Sequence, residues 1–316
     1  MTQSAGELFD LGYQHYQGPR EGRMRARKAV FVNGFRTTLG LGRGSMAKVL
    51  PILLFAAAMA PAVIIALVAS RAEELADVLP DHSNYYQIVS IILILFSAII
   101  APELLCSDRR NGVISLYLVR PLTATDYVAG RWLAFFSITL LLVYSGQIVL
   151  LIGLILSAAD PLDYLREHWL DIPRILGAGL VVAAFTATLP LAVAAFTNRR
   201  AYAAAFVIGL FIISSAAAGI MTGCEENGSG NGQQRQAGAS VAECEPLTGG
   251  AAKWLGLLDV GRVPSHVNDM IFGTDSGVHL AKEVAKLPDI VPIGWYLLLT
   301  AGPGFALWWR YQRLSA

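Results

Sequence analysis

Few side chains in this 316-residue chain could carry chemistry, and their spacing argues against the common arrangements. The five histidines, His15, His82, His168, His266 and His279, lie in separate segments. None pairs at the H-E-x-x-H spacing that brings two imidazoles to one zinc ion, so neither a metal nor a bound cofactor is expected. One group combines imidazoles with carboxylates: His266 and Asp269, with Asp275 and His279 nearby. A membrane-embedded acid–base catalyst would have to sit there. Gly40, Gly42 and Gly44 imitate a phosphate-binding loop, but Ser45 and Met46 stand where a Lys and a Ser/Thr must grip phosphate and magnesium. The chain is therefore not expected to bind ATP itself, and no residue is assigned as catalytic. Two of the three cysteines, Cys224 and Cys244, bracket a Gly/Asn/Gln/Ser-rich stretch. Either they form a disulfide, with a contribution on the order of 3 kcal/mol, or both are free thiols. Cys106 is expected to be a reduced, structural thiol.

The more distinctive chemistry is a charged connection between two long apolar runs, CSDRRNGVISLYLVRPLTATDYVAGRW at residues 106–132. Its basic start is followed by about two turns of apolar helix over 113–119, with Val113, Leu116 and Tyr117 on one side. Pro121 stops that helix, and Thr123 with Asp126 has the form of a capping box that starts the next one. A protein working wholly within the bilayer has no need of such a segment. Its form suits docking to a soluble partner, and a short helix anchored at both ends passes rigid-body motion either way. The plain alternative is an amphipathic connector.

The elements that hold this connection are membrane spans. Hydrophobic residues make up 55% of the chain, charged residues 15%, and the mean hydropathy is +0.53. That composition belongs to membrane proteins. A helix needs roughly 20 apolar residues to cross about 30 Å of hydrocarbon. Six runs qualify, near residues 49–70, 87–105, 128–157, 172–196, 202–221 and 292–309, with Pro61 and Pro190 inside two of them. The segments of about 10 alternating residues that a β-barrel requires do not occur. The fold class expected is all-α: one polytopic six-helix domain over 49–316, preceded by a basic N-terminal region over 1–48. No early apolar core marks a cleavable signal peptide.

Lys and Arg placement orients the spans. Eight basic residues precede the first, from Arg20 to Lys48; Arg109, Arg110, Arg120 and Arg131 crowd the second loop; Arg199 and Arg200 fill the fourth turn. Acidic residues dominate the first and third loops. Both termini are therefore expected on the cytoplasmic side of the plasma membrane. The loop over 222–291 is then extracytoplasmic, with apolar helical spacing at 251–258 and 278–287. Residues 23–48 mix basic side chains with Val30, Phe31, Phe35 and Leu39, as in a helix lying on an anionic lipid surface. Lipid is favoured there over nucleic acid, which is not expected as a partner.

On these residues the chain resembles the permease subunits of ATP-binding-cassette (ABC) transporters of the type-two, exporter-like class. Those have a basic N-terminal helix, six spans, and an acidic residue ending the second span before a run of arginine, glycine, apolar and Pro-Leu/Ile-Ser/Thr positions. Glu103, Arg109, Arg110, Gly112, Ile114, Leu118, Pro121, Leu122, Thr123 and Tyr127 fit that pattern. The resemblance implies that residues 106–127 form a coupling loop seated in a cleft of a separate ABC ATPase subunit, which binds the ATP. It implies a second permease chain, identical or related, and outward transport. The Cys-bracketed loop departs from what the family resemblance leads one to expect.

Polar side chains inside the spans sketch a translocation path: Tyr144, Ser145 and Gln147, then Thr186 and Thr188, then Ser214 and Ser215. Gln147 leads, although hydrogen bonding between helices accounts for it equally well. The lack of an ionisable residue mid-span argues against a proton- or ion-coupled secondary carrier and favours a lipid-like or amphipathic cargo. A stand-alone carrier or channel and a non-transporting scaffold remain the other readings.

Overall fold

The computed structural model describes residues 22–42, 44–71, 82–114, 122–158, 160–222, 247–274 and 278–315, and single positions 18, 80 and 117. Among these the chain is helical and no strand occurs. In order the helices are α1 (Arg23–Thr38), α2 (Ser45–Ala69), α3 (His82–Arg110), α4 (Ala124–Ser157), α5 (Pro161–Glu167) and α6 (Asp171–Ala194). They continue with α7 (Arg200–Thr222), α8 (Gly250–Leu255), α9 (Val263–Phe272), α10 (His279–Val284) and α11 (Ile290–Ser315). Six of them, α2, α3, α4, α6, α7 and α11, are long and apolar enough to cross a membrane, and the chain is a multi-pass membrane protein.

Helix α6 is the post of the bundle. It packs on α3, α4, α7, α9 and α11, and 72% of its apolar window is buried, against 17% for α7 and for α11. Lipid tails provide no hydrophobic drive between spans, so close backbone approach and polar links must hold the helices together. Both are present. A Cβ on Gly146 of α4 would sit 1.6 Å from the Tyr85 hydroxyl of α3, one on Gly153 would sit 2.2 Å from the Ala66 Cβ of α2, and one on Gly179 of α6 would meet the Tyr144 ring at 2.2 Å. The two tyrosines that fill these notches end on backbone carbonyls, Tyr85 donating to Ala58 O at 3.0 Å and Tyr144 to Leu176 O at 2.6 Å, and Tyr86 likewise donates to Ile175 O at 2.8 Å. Phe96 of α3 stacks on Phe135 of α4 with 5.9 Å between ring centroids.

Several boundaries differ from the sequence reading. Helix α3 starts at His82 and runs through Pro102 to Arg110, about a turn beyond each end of the apolar run at 87–105. Proline removes one backbone bond without ending a helix whose next turns are held from outside, as these are. Helix α4, at 34 residues, is longer than a span requires, as expected. The acidic third loop contains an unforeseen helix, α5, capped by Asp160, whose Oδ1 accepts from the backbone of Leu162 at 3.0 Å and Asp163 at 3.3 Å. The two apolar stretches beyond residue 250 form the short helices α8 and α10. Between them α9, which the sequence reading treated only as a possible catalytic cluster, packs on α3, α6 and α11. Cys106 is a buried free thiol. Cys224 and Cys244 lie outside the described residues.

The glycine notches give a stability contrast. Gly146→Ala and Gly153→Ala are expected to lower the unfolding temperature of the detergent-solubilised protein, at a cost of about 1–3 kcal/mol each for overpacking. Gly209→Ala of α7, with nothing within 4 Å of the added methyl, should leave it unchanged or raise it slightly. Equal effects at all three positions would refute this packing.

Candidate functional site

The connection between α3 and α4 begins with a helix stop built from local chemistry. Gly112 adopts φ +68°, a left-handed conformation that glycine takes without a Cβ clash. It donates to Arg109 O at 3.2 Å, and Val113 donates to Asp108 O at 3.1 Å, the paired bonds of a Schellman motif. The glycine of the coupling pattern is thus the residue that turns the chain out of α3. Gly40, in the false phosphate loop, ends α1 the same way, with φ +66° and bonds from Gly40 to Thr37 O and from Leu41 to Arg36 O.

The last turns of α3 are tied to the α6–α7 corner. Glu103 forms an ion pair with Arg200 at the start of α7, and the Arg109 guanidinium donates to the Ala195 carbonyl just beyond α6. The Cys106 thiol lies 3.4 Å from Thr197 O. Beyond Gly112, Tyr117 N–H donates to Val113 O at 3.3 Å. Ile114 packs against the core edge. Leu118 and Pro121 lie outside the described residues.

On the α4 side the capping box is formed. The Thr123 hydroxyl accepts from Asp126 N at 3.3 Å, and the Asp126 carboxylate accepts from Thr123 N at 3.1 Å. Asp126 does more than cap. It is 8% exposed, and its two oxygens accept from Arg23 Nε and Arg27 Nε of α1, each at 2.7 Å. Helix α1 lies close against α4 there, since a Cβ on Gly34 would sit 2.8 Å from Ala134 and one on Gly130 would sit 2.9 Å from Val30. One turn along, Asp108 of α3 accepts from Tyr127 OH at 2.7 Å and from Arg131 of α4 at 2.5 Å. The Arg131 guanidinium lies over the Tyr127 and Tyr117 rings at 5.5 and 5.9 Å, and Tyr311 of α11 packs on Tyr127 with 5.4 Å between centroids. Thr125 accepts from Gln312 Nε2 of α11 at 2.8 Å. A cavity of about 680 Å³, lined by Arg36, Thr37, Ser107, Asp108 and Asn111 among others, opens between α1 and the end of α3.

Glu103, Arg109, Gly112, Thr123 and Tyr127 therefore meet at one end of the bundle, while Arg110 stands exposed beside them. The arrangement offers no nucleophile with a base. It is a rigid knot joining α1, α3, α4, the α6–α7 corner and α11. Asp108, Arg23, Arg27 and Tyr311 were not singled out from sequence, nor was Arg131 as more than a topological marker. The i,i+4 spacing of Arg23 and Arg27, which puts both on one helix face, was the available signal.

The path residues are not gathered in one place. Gln147, fully buried, is matched to His82: its Oε1 lies 2.8 Å from His82 Nδ1, and its Nε2 donates to His82 O at 3.0 Å. Tyr144 donates to Leu176 O at 2.6 Å, and Thr188 accepts from Trp132 Nε1 at 2.9 Å. Thr186 bonds back to Val182 O, and Ser214 accepts from Val260 N at 3.3 Å. Ser215, the last of the path residues, lines a cavity of about 270 Å³ beside α9, apart from the others.

At the opposite end, Asp269 of α9 accepts from Ser83 Oγ at 3.3 Å and Gln87 Nε2 at 3.5 Å of α3. His266 is buried beside it; burial, assisted by Arg262, pushes its imidazole down to about 4. Asp275 lies outside the described residues, and among the described residues no group of three His, Cys, Asp or Glu could hold a metal ion.

A family model described as ABC-2 family transporter protein matches residues 6–263. The comparison with curated proteins finds no match.

Two outcomes test this geometry. Asp126→Asn weakens two charge-assisted bonds, and losing about 1.5 kcal/mol or more should raise the undocked population of α1 roughly tenfold, read as faster trypsin cleavage at Arg23–Lys28; an unchanged rate contradicts the clasp. His266 stays neutral when folded, whereas an unfolded imidazole protonates below its ordinary 6.5. Stability should therefore fall as pH drops from 6.5 towards 4, by about 3 kcal/mol at most. Asp259, Arg262, Asp269, Lys282 and Asp289 line the same cavities, so the specific readout is loss of this component in His266→Gln.

Proposed function

Because the chain belongs to the ABC-2 family of transporter proteins, we propose that it is the membrane permease subunit of an ABC transporter, driven by a separate ATPase that docks on the α1 end. The observation that carries the reading is the knot at residues 103–131. Both ends of the connection are fixed through named bonds to α1, the α6–α7 corner and α11, so a push on it moves the bundle as a body. In this reading Arg109 and Gly112 shape the coupling loop. Arg110, Ile114, Leu118 and Pro121 present it to the ATPase cleft, and Glu103, Thr123 and Tyr127 pass the motion into α7, α4 and α11. ATP is bound by the partner, not by this chain.

The α1 end then faces the cytoplasm, with both termini on that side, and the exposed basic residues of α1, among them Arg25 and Lys28, meet anionic lipid. The sparsely buried faces of α7 and α11 leave room for lipid and for a second permease chain, identical or related. Cargo moves outward and is lipid-like or amphipathic. Its path runs along Tyr144, Gln147, Thr186, Thr188 and Ser214, whose bonds to neighbouring helices must exchange as the bundle switches.

The test is co-purification of the tagged full chain in mild detergent, alongside Arg110→Glu. Arg110 is exposed, so the substitution should leave thermal unfolding unchanged while removing the ATPase from the eluate. If no ATPase accompanies a folded native chain, the permease reading fails, and a stand-alone carrier, channel or scaffold takes its place.

A further inference from the structure

We propose that the α9 end of the bundle carries a binding site for a small organic cation with a single ammonium group, held at His266 and Asp269. Two cavities, of about 270 and 250 Å³, meet at His266, Asp269 and Ala281. The first is walled by Gln87 and Ser90 of α3, Phe211 and Ser215 of α7, and the turn carrying Asp259 and Arg262. The second runs past Lys282 and Asp289.

His266 is 5% exposed, and its Nε2 has no hydrogen-bond partner among the described residues. A buried imidazole nitrogen left without a partner is costly, and one lining a cavity is satisfied when a donor enters. With the proton on Nδ1, Nε2 accepts an ammonium N–H. Asp269 stands one turn along the same helix, and a carboxylate accepts several bonds at once beyond those from Ser83 and Gln87. The Ser90 hydroxyl, a residue of the cavity wall, gives its proton to Gln87 O at 2.6 Å, so its oxygen is left as an acceptor. The Phe211 ring offers the apolar and π surface that alkylammonium groups favour.

Charge selects the ligand class. In the first cavity, Asp259 and Asp269 stand against Arg262, which is already paired with Asp259 at 3.2 Å; in the second, Asp269 and Asp289 stand against Lys282. Asp269 is common to both, so with His266 neutral Asp259, Asp269 and Asp289 against Arg262 and Lys282 leave the joined cavities one formal negative charge, which a monocation balances and an anion would double. The site lies at the end opposite the coupling connection and is read on the chain alone, so it stands or falls independently of ATPase docking.

The test uses the full chain purified in detergent, titrated calorimetrically with ethanolamine at pH 7 and moderate salt, with glycerol and acetate as neutral and anionic controls. Saturable binding of ethanolamine alone is expected, weakened at least tenfold by Asp269→Asn and by His266→Gln. Ser215→Phe, which fills the cavity from the exposed side of α7, should block binding without touching either group. Repeating the titration in nanodiscs distinguishes the source. Competition by phosphatidylethanolamine, but not by phosphatidylglycerol, assigns the site to a lipid headgroup, and its absence assigns it to a soluble amine. Non-saturable ethanolamine binding by a folded chain overturns the proposal. So does equal affinity in all three variants, or glycerol binding in place of the amine.

Discussion

Arg131 is 2% exposed, and a guanidinium does not shed its proton in a protein, so one end of this bundle must be organised around a charge it cannot discard. Removing one partner from such a buried pair costs about 3–5 kcal/mol, far more than the pair contributes over an apolar substitute. Asp108 provides the counter-charge, and the faces of Tyr117 and Tyr127 cover the guanidinium, whose Nε and Nη1 find no hydrogen-bond acceptor among the described residues. Meeting those demands brings α3 and α4 together at their shared connection. Through Tyr127 and Tyr311 it also draws in α11. The Asp126 clasp on α1 and the Glu103–Arg200 pair extend the same end to the remaining neighbours.

This end is linked to the other by α3. Over 29 residues it spans roughly 43 Å at 1.5 Å per residue. It carries Ser83 and Gln87, which bond Asp269, at one end, and Glu103 to Gly112 at the other. Helix α6 braces it laterally, with Tyr86 OH on Ile175 O as one fixed link. A helix held at both ends and along its side moves as a body. Helix α3 is thus the direct physical link between the charged connection and the cavities beside α9. The bundle core around α3, α4 and α6 has little freedom, because glycine notches leave no slack. Helices α2, α7 and α11 keep broad apolar faces on the outside.

Much of the layout was legible in the sequence because hydrocarbon imposes it. Backbone groups within the bilayer must be satisfied inside each segment, so composition and run length locate the spans. The Thr123–Asp126 cap was readable for the same kind of reason, as its bonds are local. The ends of α3 were not, because residues 82–86 and 106–110 fall outside the apolar run, whereas tertiary bonds at Glu103, Cys106 and Arg109 hold the last turns. Helix α9 was missed as an element: ten residues with His266, Asn268 and Asp269 look polar until the bundle end they pack against is known.

What the sequence by itself determined was the all-helical class, the number of membrane-length helices and the position of the charged connection, all of which follow from local composition. Only the tertiary structure decided what the polar residues do. Gln147, read as the leading path residue, meets His82, 65 positions away. Asp126, read as a cap, also holds two arginines about 100 positions away. His266, read as one of several scattered histidines, borders two cavities whose walls come from α3, α7 and α10. The partner of a buried polar group is chosen by helix packing, and packing between spans depends on small residues and backbone approach that no local pattern encodes.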